Sequence, residues 1–413
     1  MDWQGLRCWI ATGWLMLSCI GCAALKQGNA PSAAFREVPG VVITHSPATS
    51  GLYIGSPSLA ILPNGDYIAS HDFFGPNSDE HRSARSRVYR SSDRGAHWRQ
   101  VSEIQGAFWS SLFVHRGALY LLGPDRHHGN ILIRRSTDGG TTWTNPTNAT
   151  TGLLRSEGEY HCAPMPVVEH AGRLWRGFEW RNPPMAWGIH YRAGVLSVPV
   201  DADLLDASRW VSTEFLPSDR SWNGGDMRAW LEGNVVVTPE GGLVDVLRVD
   251  ARGLPEKAAI VRIPGPEARP EFDPSTGFVD FPGGAKKFAI RWDKVTRRYW
   301  SVASVVPRGW ETAGHPAGTR NTLALLCSPD LRQWEVRCHL LHSPDRARTG
   351  FQYVDWVFDG NDLIAACRTA FEDGVGGAHN AHDANFLTFH RIRAFRSRTM
   401  ADSVAITLPP GKE

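Results

Sequence analysis

Apolar and polar residues alternate with a period of two through short runs, each broken by turn-forming residues and then resumed. That pattern predicts β-hairpins. The first covers 58–70 and turns at Asn64-Gly65, a pair suited to the left-handed conformations of a tight hairpin. Five more follow: 111–122 around Arg116-Gly117, 165–178 around Ala171-Gly172, 234–249 around Gly241-Gly242, 287–305 around Asp293-Lys294, and 353–367 around Asp359-Gly360-Asn361. An outer strand pair follows most of them. Six such units imply an all-β chain folded as a single β-propeller of six four-stranded blades. Residues 41–44 can supply the outermost strand of the last blade and close the ring. No amphipathic helix longer than about two turns is evident.

A second pattern sits between outer strands. Ser136-Thr137-Asp138-Gly139-Gly140-Thr141-Thr142-Trp143 reads S-x-D-x-G-x-T-W. Ser91-Ser92-Asp93-Arg94-Gly95-Ala96-His97-Trp98 repeats the frame, and Ser328-Pro329-Asp330-Leu331-Arg332-Gln333-Trp334 is a worn copy. Here Asp can accept amide N–H bonds inside the turn, Gly can take a positive φ, and Trp can pack back between strands. The motif resembles the Asp-box of sialidases and related propellers. It is structural, and it leaves the reaction open.

Composition narrows the partners. The 413 residues suit one closed β unit. A formal charge of +2 without a basic stripe argues against nucleic acid. Seventeen Trp are suggestive of sugar stacking, although some belong to the Asp-boxes. The apolar stretch 8–20 after Arg7 has the length of a signal-peptide core and is too short to span a bilayer. Cys22, with Cys19 as runner-up, follows small residues as in a bacterial lipoprotein signal. The expected division is signal peptide 1–22, tether 23–40 and propeller 41–413, in an exported monomer that is lipid-anchored or simply cleaved. Cys162, Cys327, Cys338 and Cys367 show no zinc-knuckle spacing, while Cys327 and Cys338 are placed for either a cross-strand disulfide or free thiols.

In a propeller, polar residues at the ends of inner strands converge on one mouth of the central channel. Those positions offer Tyr53, Ser56, His71, Asp72, His161, Glu179, Arg228, Glu232, Asn234, Arg248, Arg291, Tyr353, Asp355 and Arg368. The loop 374–385, dense in Gly, His, Asn and Asp, adds His379 and Asn380 and reads as functional. From these, His71 and His161 are expected to be the proton-transfer pair, with Arg228, Tyr353 and Arg368 completing the catalytic set. Trp222, Asn234, Arg291, His379 and Asn380 are expected to bind substrate. No cofactor is required, although His-x-x-His-Asp at 379–383 has donors suited to a divalent cation.

Two resemblances bear on function. Sialidases open their first hairpin with Arg-Ile-Pro, whose Arg joins two others on the substrate carboxylate. This chain has Tyr53-Ile54-Gly55-Ser56-Pro57-Ser58 there, without Arg. The segments Gly55-Ser-Pro-Ser-Leu, Tyr160-His-Cys-Ala-Pro, Trp230-Leu-Glu-Gly-Asn, Gly350-Phe-Gln-Tyr-Val-Asp-Trp and Gly376-Gly-Ala-His-Asn-Ala-His-Asp-Ala-Asn are similar to the α-L-rhamnosidase and L-rhamnose-α-1,4-D-glucuronate lyase group, related to ulvan lyases. That resemblance implies seven blades and an enzyme cleaving a glycosidic bond to a uronic acid by β-elimination. Glycoside hydrolysis, by a rhamnosidase or an exo-sialidase, is the alternative, and a non-catalytic glycan-binding propeller is the third reading.

Overall fold

A computed structural model describes residues 35–409 apart from 183, 185, 312 and 313. The leader 1–22 and most of the tether lie outside the described residues. Six groups of antiparallel strands follow one another along the chain, the second and third joined into one sheet where Tyr160 and His161 pair with Trp180 and Glu179. Blade 1 pairs Tyr53–Ile54 and Ser58–Ile61 with Tyr67–Phe74, then Arg85–Ser91 and Arg99–Gln105. Blade 2 is Ser111–His115, Ala118–Pro124, Gly129–Ser136 and Leu153–His161. Blade 3 is Val168–His170, Arg173–Arg181 and Tyr191–Pro199, edged by Val211–Ser212 and Leu216–Pro217.

Blade 4 is Ala229–Val237, Leu243–Asp250, Lys257–Arg262 and Phe278–Asp280. Blade 5 is Ile290–Asp293, Arg298–Ser304, Thr322–Ser328 and Glu335–His342. Blade 6 is Gly350–Asp359, Asp362–Ala370 and Phe386–Ile392, completed by Val41–His45 from the start of the propeller. The N-terminal strand thus closes the ring, and six blades account for the described residues. The seventh blade implied by the family resemblance is not among them. The only helical segments described are short 3-10 turns, and none is long and apolar enough to cross a membrane.

Hydrogen bonds at every blade boundary stitch the ring near its axis. Leu112 N–H donates to Ser58 Oγ (2.9 Å), Met165 N–H to Ser111 Oγ (3.0 Å) and Gly233 N–H to Glu179 Oε1 (2.8 Å). Ile290 N–H donates to Asn234 Oδ1 (2.7 Å), Arg291 Nη2 to Asp355 Oδ1 (3.0 Å) and Leu59 N–H to Asp355 Oδ2 (2.9 Å). Backbone donors that would otherwise be buried without partners are satisfied in this way. The apolar faces of neighbouring blades pack between them, with Trp230, Trp300 and Trp356 fully buried.

All three Asp-boxes form the turn between a third and a fourth strand. Asp138 Oδ1 accepts from the amides of Thr141 and Thr142 (both 3.0 Å), and Ser136 Oγ accepts from Gly140 N–H (2.8 Å). Gly140 takes φ +90°, and Trp143 Nε1 donates to its carbonyl at 3.0 Å. The carboxylate itself is exposed. Asp138→Ala should therefore cost only about 1 kcal/mol, as at a helix cap. Urea unfolding should show that loss while turnover per folded molecule is unchanged. All four described cysteines are free thiols. Cys327 lies opposite Glu335 and Cys338 opposite Leu325, so the register does not bring the two sulfurs together.

Candidate functional site

One cavity of about 350 Å³ opens at the mouth of the channel, the scale of a small-molecule cleft. Blades 1 and 2 contribute Gly55, Ser56, Asp72, Phe74, Glu80, Phe108, Trp109 and His127, and the connection after blade 3's second strand gives Trp187. Blades 4 to 6 contribute Arg248, Arg320, Tyr353, Arg368 and His382. A wider groove of about 810 Å³ lies among the outer parts of blades 3 to 5, where Arg262 is already paired with Glu271. Its lining has no comparable set of convergent buried charges.

Two strand irregularities build the centre of the site. In blade 4 the register passes from Leu231↔Arg248 to Asn234↔Val246, so Glu232 and Gly233 face one residue. In blade 6 it passes from Gln352↔Arg368 to Asp355↔Ala366, so Tyr353 and Val354 do the same. Both are β-bulges, and Glu232 (φ +56°) and Tyr353 (φ +53°) occupy the left-handed region. A non-glycine residue held there costs about 1–3 kcal/mol, and such strain clusters at functional sites. The bulges aim the two side chains at each other: Tyr353 Oη donates to Glu232 Oε1 at 3.0 Å.

Three guanidinium groups surround that pair. Arg248 Nη1 donates to both oxygens of Glu232 (3.1 Å each) and lies 3.5 Å from Tyr353 Oη. The Arg320 and Arg368 guanidiniums stand 5.9 and 4.8 Å from the centre of the Tyr353 ring. Arg320 is held by the Gln352 side chain and Arg368 by the His382 carbonyl. Neither Arg320 nor Arg368 makes an ion pair with a carboxylate among the described residues, although both are buried. Burial lowers both, Arg320 to about 10, so they remain cationic at neutral pH. Buried cations without an anion are costly, and an anion entering this cavity would offset that cost.

Burial works upward on the Glu232 carboxyl, but the Arg248 charge and hydrogen bonds, the His161 ring and the Tyr353 hydroxyl together outweigh it and hold the group below its ordinary value. Burial raises the Tyr353 phenol, and the nearby Glu232 charge adds to the effect. At neutral pH the pair is a neutral phenol against a carboxylate, the arrangement of a nucleophile beside its base.

Asp72, from blade 1, lines the same cavity. Its Oδ1 accepts from Ser56 N–H (2.7 Å) and its Oδ2 from Trp109 N–H (2.6 Å). Burial nevertheless pushes the carboxyl up to about 7, so that it carries a proton below that pH. A Cβ on Gly55 would fall 1.6 Å from Asp72 Oδ1. The absence of a side chain at 55 therefore makes room for the Asp72 carboxyl.

The remaining expected site residues divide by strand geometry. Tyr353 and Arg368 line the cavity. His71 neighbours Asp72 on the strand and so faces the other way, against Phe73 and Tyr89. His161 stands behind Trp109 (ring centroids 4.5 Å apart), with Nδ1 2.6 Å from Glu179 Oε2. Since Glu179 also holds the Gly233 amide, His161 supports the Glu232 bulge without lining the cavity. His71 and His161 are therefore not brought together as a pair facing the mouth.

Arg228 is exposed, outside the cavity lining. Trp222 packs on Trp230 and Phe272 in blade 4's core. Asn234 and Arg291 are spent on the blade boundaries described above. In the loop, His379, Asn380 and His382 all bond to Asp383, and His379 stacks on Tyr53. The loop's contribution to the cavity is His382, whose carbonyl holds Arg368. No group of three or more His, Cys, Asp or Glu among the described residues is placed to hold a metal. Arg320, Glu80, His127, Trp109 and Trp187 were not anticipated; all lie in connections, where no alternation marks a facing side.

The sequence matches no protein-family model and no curated protein. Solved structures share the fold. A Penicillium chrysogenum α-L-arabinanase complexed with arabinobiose is similar at TM-score 0.53 and 14% identity, over 87% of this chain and 98% of that one. The Hadza microbial sialidase Hz136 gives TM-score 0.58 and 13% identity, over 86% and 68%. The α-L-arabinofuranosidase of Fusarium graminearum with arabinobiose gives 0.55 and 12%, over 86% and 97%. At these identities the likeness is one of architecture: this chain has the sialidase-like β-propeller fold.

Proposed function

We propose that this protein is a retaining glycoside hydrolase acting on sugar acids whose carboxylate is carried by the anomeric carbon, as in sialic acids. The observation that carries the reading is the Tyr353–Glu232 pair enclosed by Arg248, Arg320 and Arg368. A carboxylate bound by those cations would sit beside the Tyr353 side chain, which brings the carbon bearing it toward Tyr353 Oη. A carboxylate nucleophile would be repelled by that anion; a neutral phenol is not. Tyrosine nucleophiles are the known exception among glycosidases, and sialidases use them. The first hairpin lacks the sialidase Arg, and Arg368 from blade 6 supplies a third cation to the cavity.

In the reaction, Tyr353 Oη attacks the anomeric carbon while Glu232 takes the phenolic proton. Asp72 gives its proton to the departing oxygen. Water, deprotonated by Asp72, then attacks the aryl glycoside, and Tyr353 recovers its proton from Glu232. Arg248 bridges base and nucleophile throughout, and the negative charge that returns to the Tyr353 oxygen as the aryl glycoside breaks falls in a pre-organised cationic site. Similar folds that hydrolyse sialosides and arabinosides lend support to a hydrolase.

β-Elimination remains the second reading, because a uronate's acidic carbon also bears its carboxylate and Tyr353 would stand over that proton. The two are separated by assaying methylumbelliferyl glycosides of sialic acid, its deaminated form and a 3-deoxy-octulosonic acid beside uronate-bearing polysaccharides. The hydrolase reading expects release of methylumbelliferone from at least one of the first set. Release from none, with an unsaturated uronate absorbing in the ultraviolet from the second, would replace it with the lyase.

A further inference from the structure

We propose that Glu80 and His127 form a subsite for the leaving group, and that this group is a hydroxylated sugar. The inference rests on the reading of Asp72 as the acid. Few buried side-chain polar atoms among the described residues lack a hydrogen-bond partner, and two of them, Glu80 Oε2 and His127 Nδ1, belong to residues lining the cavity. Gly75 and Ser78 approach the Glu80 carboxyl and His81 Nε2 lies 3.2 Å from its Oε1, which leaves Oε2 and His127 Nδ1 as the buried atoms for a ligand hydroxyl to answer. The two residues are tied together, since His127 N–H donates to the Glu80 carbonyl at 2.7 Å.

Their position identifies which part of the substrate they meet. Trp109 bonds Asp72 through its amide, and its ring lies 4.7 Å from that of His127. Glu80 and His127 thus stand on the acid's side of the cavity, with blades 1 and 2. Glu232, Tyr353, Arg248 and Arg320 come from blades 4 to 6. A glycoside with its carboxylate on the arginines and its bridging oxygen at Asp72 extends its leaving group toward Glu80 and His127.

The chemistry there is that of a neutral polyol. Glu80 Oε2 accepts from a hydroxyl and disfavours a second anion. Burial, helped by the His161 ring nearby, lowers the His127 imidazole to about 3, so it is neutral and can either give or take one hydrogen bond. Phe108 and Trp109 offer ring faces to the C–H surface of a pyranose. An aryl aglycone would leave both polar atoms without partners.

The test compares one sugar acid as its lactose-linked glycoside and as its methylumbelliferyl glycoside. E80Q and, as a second variant keeping an aromatic ring, H127F are assayed against wild type, with melting curves confirming folding. Each should lower the ratio of kcat/KM, lactose-linked over methylumbelliferyl, by about tenfold or more, as when a site's polar partner is lost. Equal losses on both substrates, or none on either, would overturn the subsite while leaving the hydrolase reading intact. A wild type that cleaves neither glycoside overturns the hydrolase reading and this inference with it.

Discussion

Replacing Tyr353 by Phe should reduce kcat by about 10³-fold or more, the scale of losing a covalent nucleophile. The Phe ring retains the packing between the Arg320 and Arg368 guanidiniums, so the melting temperature should stay within a few degrees of wild type. What disappears is the phenolic oxygen that lies 3.0 Å from Glu232 Oε1. If Tyr353 merely bound substrate, KM would rise and kcat would survive. Steady-state kinetics on a methylumbelliferyl glycoside distinguish those outcomes, because loss of a bond made only in the transition state appears in kcat.

Asp72→Asn should lower the rate on a sugar-linked substrate by about 10²–10⁴-fold, the range of general acid catalysis. The loss should be smaller when the leaving group is methylumbelliferone, which departs with less help from a proton. In the wild type the acid must be protonated and titrates at about 7 in the fold. Activity should therefore fall as pH rises through 7, and the variant should lack that limb. Stability follows the same sign. A carboxyl raised by folding contributes stability that is complete below the ordinary carboxylate range and is lost as pH rises through the folded value. The carboxamide introduced by Asp72→Asn turns an NH₂ toward one of the two amides that Asp72 now accepts from, so rates must be compared per folded molecule.

The blades were legible because hairpin turns and the Asp-box are local: Asn64-Gly65 and Asp138 specify their own geometry wherever the chain goes. Closure by Val41–His45 was legible for the same reason, as an unpartnered strand ahead of the first hairpin. The site was legible only in part. Asp72, Glu232, Arg248, Tyr353 and Arg368 could be read as polar groups at inner-strand ends. Alternation alone could not choose His71 or Asp72, since one step along a strand reverses the side. The bulges at Glu232 and Tyr353 add a residue each and break the period, which is how Asn234 came to be counted at the mouth. Arg320 follows a 3-10 turn at Pro316–Gly318, and Glu80 and His127 lie in connections. No periodicity reports the direction of such side chains; only the folded ring brings them to one cavity.

The central claim is that Tyr353 becomes covalently glycosylated. The direct test uses an anomeric fluoride of the sugar acid with a second fluorine on the neighbouring carbon, which forms the intermediate quickly and releases it slowly. After incubation, the intact mass should increase by one glycosyl group. Tryptic mapping should then place that mass on the peptide Thr349–Arg368, at Tyr353. A label on Glu232 or another carboxylate, or no label from a reagent that wild type still turns over, would contradict the account.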